Sequence, residues 1–133
     1  MALNDLHRAR TLIFSCKDHV VFCPKYRRKL LVAPIDRRIK EMILEKQDQY
    51  SDTVVEMEVM PDHVHLLLDV DPRVGIDRVV RKIKGYTAHR IRQEYPRIRT
   101  RLPSLWTRSH LIASVGSVSL QTVKQYIEEQ KGA

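Results

Sequence analysis

Cysteine is scarce in this chain: Cys16 and Cys23 are the only two in 133 residues, too few for a disulfide scaffold. Their odd separation sets the thiols on opposite faces of one strand-like segment, which argues against a zinc site built on Cys16, His19 and Cys23 and for two reduced, packed side chains. No apolar run approaches the roughly 20 residues that cross a bilayer, and no signal-peptide pattern opens the sequence; no membrane partner and a cytoplasmic location are therefore expected. Repeats and low-complexity tracts are missing too. Acid is outnumbered by base: 16 Asp and Glu face 24 Lys and Arg, a net charge of +8. The whole excess lies in residues 73–101, where Arg73, Arg78, Arg81, Lys82, Lys84, Arg90, Arg92, Arg97, Arg99 and Arg101 meet only Asp77 and Glu94. A cluster so poor in interleaved acids reads as a footprint for a polyanion, nucleic acid above all.

Length and patterning fit one domain over residues 1–133, large enough to bury a core unaided. Leu12, Ile13, Phe14, then Val20, Val21 and Phe22 before Pro24 predict a first strand region, with the basic loop Lys25-Tyr26-Arg27-Arg28-Lys29 after it. From Pro34, Ile35, Ile39, Met42 and Ile43 recur at helical spacing to about Tyr50. Val55, Met57 and Val59 alternate with Glu56 and Glu58 as a second strand, Pro61-Asp62 turns the chain, and residues 63 to 70 form a third. Ile76, Val79, Val80, Ile83 and Ile91 line a second helix closed by Pro96. A basic, proline-containing loop, a fourth strand over residues 110 to 115, and a last helix bearing Leu120, Val123 and Ile127 complete the order. That order predicts an α+β, ferredoxin-like βαββαβ fold: an antiparallel sheet with helices on one face, a core over about residues 10–115, and a C-terminal helix over about 118–131.

The third strand carries the most chemistry. His63 and His65 flank Val64, so both imidazoles share one face while Val64, Leu66 and Leu68 share the other. On a central strand whose apolar face is covered by helices, the histidines lie on the open face. Tyr126 and Gln130, four apart in the last helix, project together at the edge of its apolar stripe. Docking that stripe on the open face would bring them toward the histidines, where His63, His65 and the Gln130 carbonyl oxygen form a facial set for a divalent ion and Tyr126 a nucleophile toward phosphorus. By spacing alone, Tyr126 reads as readily as an ordinary helix-edge aromatic. A two-residue turn at Pro61-Asp62 sets Glu58 opposite His65, as an auxiliary ligand or a solvated carboxylate. Tyr86, Tyr95 and Trp106 are candidates for stacking on unpaired bases, with core or surface roles equally open.

Three segments together, Met60-Pro61-Asp62-His63-Val64-His65, Cys23-Pro24-Lys25-Tyr26-Arg27-Arg28-Lys29 and the stretch from Val118 through Tyr126 to Gln130, resemble the small single-tyrosine transposases of the insertion-sequence 200/605 family, within the HUH (His-hydrophobic-His) endonucleases. The likeness runs over essentially the whole chain. It implies Tyr126 as catalytic nucleophile and His63, His65 and Gln130 as ligands of Mg²⁺ or Mn²⁺, without a nucleotide cofactor. It also implies cleavage and rejoining of hairpin-bearing single-stranded DNA at element ends through a 5′-phosphotyrosine, by a homodimer whose active sites are shared between subunits. Gly116 is the expected hinge of the tyrosine helix. Lys25, Arg27, Arg28, Arg78, Arg81, Lys82, Lys84, Arg97 and Arg99 are the expected DNA contacts. A host-domesticated nuclease acting on repeated palindromes shares these features. A non-catalytic RNA- or DNA-binding module on the same fold would need aromatics on the central strands, where this sequence has His63, His65, Leu67 and Asp69.

Overall fold

Val64, Leu66 and Leu68 are wholly inaccessible to solvent, and the side chains between them turn to the other face, so one strand has a sealed side and a side left for chemistry. The computed structural model describes residues 6–8, 12–116 and 119–133. The described elements are β1 (His7–Arg8), β2 (Ile13–Phe14), β3 (Lys17–Phe22), α1 (Ile35–Glu45), α2 (Gln47–Tyr50), β4 (Asp52–Met60), β5 (His63–Val70), α3 (Ile76–Glu94), α4 (Pro96–Arg101), β6 (Leu111–Ser114) and α5 (Leu120–Glu129). The main sheet has the order β4-β5-β3-β6 with every neighbouring pair antiparallel, so the first and third strands of the βαββαβ core are central, as the sequence predicts. Helices α1 and α3 cover one face: Ile39, Met42 and Ile43 of α1 and Val79, Val80, Ile83 and Ile91 of α3 join Val20, Phe22, Val64, Leu66 and Leu68 in one core. At one end Trp106 packs edge-on to Phe22, ring centroids 4.7 Å apart, and donates its Nε1–H to Thr87 Oγ1 at 3.0 Å. That burial removes Trp106 from the base-stacking candidates.

Four details differ from the sequence expectation. The first strand region divides: Ile13–Phe14 pairs with His7–Arg8 in a separate two-stranded sheet, and the core strand starts only at Lys17. Buried Asp69 marks the crossing, accepting from the Cys16 N–H at 2.8 Å and lying 3.0 Å from His7 Nε2. The first helix ends at Glu45, and Gln47–Tyr50 form a separate turn of helix closed by Ser51 in the left-handed region (φ 58°). The segment read as a basic loop after Pro96 is helical, since proline's fixed φ suits a first helical turn. Finally, β4 bulges between Val54 and Glu56. The extra residue leaves Val55 exposed, while the unbroken register from the Pro61-Asp62 turn keeps Glu56, Glu58 and Met60 on the face of the histidines.

Candidate active site on the open face of the sheet

Register fixes what shares that face. Val21 of β3 and Glu58 of β4 stand opposite His65 on its two sides, Met60 stands opposite His63, and His19 stands opposite Leu67. Helix α5, started by Ser119, whose Oγ accepts the Thr122 N–H at 3.2 Å, lies across it. Its Val123 is buried and Val21 beneath is fully covered. Between helix and sheet runs a cleft of about 400 Å³ lined by His19, Glu58, His63 and His65 from the strands and Ser119, Leu120, Val123, Lys124 and Ile127 from α5. Val123 thus docks on the open face with Ile127 half-buried beside it, Leu120 stays largely exposed at the mouth of the cleft, and Glu58 stands opposite His65 as the turn predicts.

The two imidazoles are prepared differently. His63 donates its Nδ1–H to Asp62 Oδ1 at 2.8 Å, so Nε2 is the ring nitrogen left for another partner. His65 has Nε2 3.1 Å from Nδ1 of His19; burial, and secondarily His19, hold its pKa below the ordinary value, so the ring is neutral at physiological pH. An imidazole pair with a neighbouring carboxylate offers nitrogen and oxygen donors of the kind that divalent ions take. Among the described residues no three His, Cys, Asp or Glu side chains converge as a ready-made metal cluster.

Tyr126 and Gln130 meet at Ser109, in the loop before β6. Ser109 Oγ donates to Gln130 Oε1 at 3.0 Å and lies 2.9 Å from Tyr126 Oη; with its single hydrogen committed to Gln130, Ser109 accepts the tyrosine proton. Gln130 Nε2 in turn donates to the Tyr126 carbonyl at 3.2 Å. Burial raises the Tyr126 pKa, with the Ser109 bond pulling the other way, so the phenol is protonated at neutral pH. The sequence expectation had the Gln130 oxygen directed to the histidines; here that oxygen is on Ser109. Neither Ser109 nor Asp62 had been singled out as a site residue, because a loop serine and a turn aspartate carry no spacing signal.

The expected DNA contacts divide. Arg28, Arg78, Lys82, Arg97 and Arg99 are exposed, and Lys25 lies half-buried over the Tyr26 ring. Arg81 pairs with Asp77 at 2.9 Å, and Arg27 reaches Glu128 at 2.8 Å. Lys84 is buried, donating from Nζ to the carbonyls of Thr107 (2.9 Å), Ser109 (3.0 Å) and Arg108 (3.3 Å), with burial pulling its pKa down to about 8. Its ammonium shapes the loop that carries Ser109. His110, with Nε2 2.8 Å from Asp77 Oδ1, packs on α3 away from the histidine pair. Gly116 has φ 89°, in the left-handed region; its neighbour Ser117 and the start of the expected 118–131 helix segment at Val118 lie outside the described residues, as do residues 10 and 11 of the expected core.

The chain resembles known proteins along nearly its whole length. It is 33% identical over 128 residues to the ISDra2 transposase TnpA of Deinococcus radiodurans, covering 95% of this chain and 91% of that protein. It is 28% identical over 120 residues to the transposase of insertion sequence IS200 from Salmonella typhimurium, covering 88% and 78%. A crystal structure of a transposase from Deinococcus radiodurans superposes with a TM-score of 0.81 at 30% identity, over 96% of this chain and 99% of that one. A tyrosine transposase bound to a REP hairpin shares the fold at 12% identity and a TM-score of 0.58, over 92% and 68% of the two chains. With the IS200-like transposase model matching residues 12–130, the chain belongs to the IS200-like transposase family.

Proposed function

We propose that this transposase cleaves and rejoins single-stranded DNA, with Tyr126 as the nucleophile and a divalent ion, Mg²⁺ or Mn²⁺, held by His63, His65 and Gln130 beside Glu58. The observation that carries the reading is the cleft itself: the imidazoles of His63 and His65 face α5, the helix that bears Tyr126. The two histidines suit such an ion, since Asp62 engages only Nδ1 of His63 and burial lowers the pKa of His65, and Gln130 Oε1 would join them on exchanging its bond from Ser109. A bound ion would supply charge stabilisation at a phosphate oxygen. The protein does the rest. Tyr126 Oη gives up its proton and bonds to phosphorus, the P–O3′ bond breaks, and a 5′-phosphotyrosine and a free 3′-hydroxyl result; the reverse attack by a 3′-hydroxyl rejoins strands. Bond energy is kept in the phosphotyrosine, so no nucleotide cofactor is required.

The exposed Arg97 and Arg99 on α4 and Arg78 and Lys82 on α3 are suited to DNA phosphates. The fold shared with a REP-hairpin-bound protein supports a hairpin-bearing substrate. A ten-residue helix joined through Gly116 is short enough to depend on docking and free enough to dock on a second copy, which supports a homodimer with shared active sites. His63→Ala/His65→Ala tests the metal: the variant should bind labelled hairpin-bearing single-stranded DNA as the wild type does yet cleave it at less than a hundredth of the rate. Normal cleavage by that variant in the presence of chelator would locate the chemistry elsewhere.

A further inference from the structure

Arg27 belongs to the basic loop expected to hold DNA, but its surroundings give it other work. Tyr26 and Arg27 both adopt left-handed backbone conformations, φ 60° and 51°, which non-glycine residues adopt rarely and which persist only where neighbours enforce them. Three backbone bonds do so here: Arg27 N–H to the Pro24 carbonyl, Tyr26 N–H to the Ala133 carbonyl and Lys25 N–H to the Leu105 carbonyl, each 2.8 Å. The turn aims the guanidinium at two carboxylates. Nη1 lies 2.8 Å from Glu128 Oε2, and Nε lies 3.6 Å from Asp62 Oδ2. The other oxygen of Asp62 accepts the His63 Nδ1–H at 2.8 Å, and Glu128 follows Tyr126 by two residues on α5. The Arg27 side chain is only 17% exposed. A planar fork of donors can serve both partners at once; a lysine point charge cannot hold that geometry.

We infer that Arg27 is a positioning residue that couples the two halves of the active site, fixing Asp62 and through it the ring of His63 while clasping the tyrosine helix to the sheet through Glu128. The inference rests on the metal and nucleophile roles proposed above. Arg27 therefore acts on cleavage through His63 and α5 and not through a DNA phosphate.

Full-length protein loaded with Co²⁺ alone tests it, with metal affinity read by absorption titration, the His63 ring tautomer by ¹⁵N shifts, and α5 docking by hydrogen exchange of its amides. Arg27→Asn is the informative variant, because asparagine tolerates the left-handed backbone. It should weaken Co²⁺ binding about tenfold, the scale of a lost partner to a ligand, and accelerate α5 exchange together. Asp62→Asn should shift the His63 ring ¹⁵N signals and lose affinity with α5 exchange unchanged, and Glu128→Gln should accelerate exchange with the His63 ring signals unchanged. Loss in only one readout for Arg27→Asn, or in neither, while His63→Ala/His65→Ala abolishes Co²⁺ binding, overturns the coupling alone. Undiminished Co²⁺ binding by His63→Ala/His65→Ala would bring down the metal reading itself, and the coupling with it.

Discussion

Asp52 opens β4, the strand that carries Glu58 to the cleft, and it should make the protein less stable as pH rises. Its residue is 7% exposed, and neither carboxylate oxygen has a hydrogen-bond partner among the described residues. Burial alone pushes its pKa from 3.8 to about 7. The folded protein therefore keeps a proton that the unfolded chain releases above 3.8, so the cost of this group is absent at pH 3, grows from about pH 4 to 7 and is constant beyond. A difference of about three pH units at about 1.4 kcal/mol each is on the order of 4 kcal/mol. Asp52→Asn keeps the shape and cannot ionise. Urea unfolding of both proteins at pH 4, 6 and 8 should give similar stability at the lowest pH and a variant more stable by about 4 kcal/mol at the highest, a large step against total stabilities of about 5–15 kcal/mol. Parallel stability curves across that range would refute the reasoning. The effect bears on function because any pH profile of cleavage must be separated from this loss of folded protein.

Neutralising Arg97 and Arg99 to alanine should weaken binding of hairpin-bearing single-stranded DNA and reduce the slope of log affinity against log salt by about 1 to 2, since each lost phosphate contact releases about 0.7 fewer counterions on a single strand; fluorescence anisotropy at several salt concentrations measures both. Lys84→Met leaves the carbonyls of Thr107, Arg108 and Ser109 without their buried donor and should destabilise the fold by about 2–4 kcal/mol in urea unfolding, where an unchanged midpoint would show that the loop holds itself.

Much of this was legible because periodicity is a local signal. The alternation from His63 to Val70 gave the strand bounds, the sealed face and the side on which the histidines stand, and a turn as short as Pro61-Asp62 left one register in which Glu58 meets His65. The spacing of Leu120, Val123 and Ile127 likewise foretold which side of α5 docks. What escaped depends on partners distant in sequence. Lys84 and Arg27 look like any other cations until Thr107, Ser109, Asp62 and Glu128 are brought to them, so charge counting cannot tell them from the exposed cations. The bulge that exposes Val55 reflects a backbone choice made by the surrounding sheet, whereas the helix that begins at Pro96 has a local signal, a proline suited to a first helical turn, which the sequence reading takes as a helix stop. Ser109, which gathers Tyr126 and Gln130, has no pattern around it at all.

The central claim is that the Tyr126 hydroxyl becomes covalently joined to DNA. Wild type and Tyr126→Phe, incubated with end-labelled hairpin-bearing single-stranded DNA and Mg²⁺ and resolved on denaturing gels, test it directly. Phenylalanine removes one oxygen and keeps the ring, so folding and DNA binding should persist. The wild type should yield a protein–DNA conjugate that survives denaturation, and Tyr126→Phe none; a full yield of conjugate from Tyr126→Phe would contradict the account.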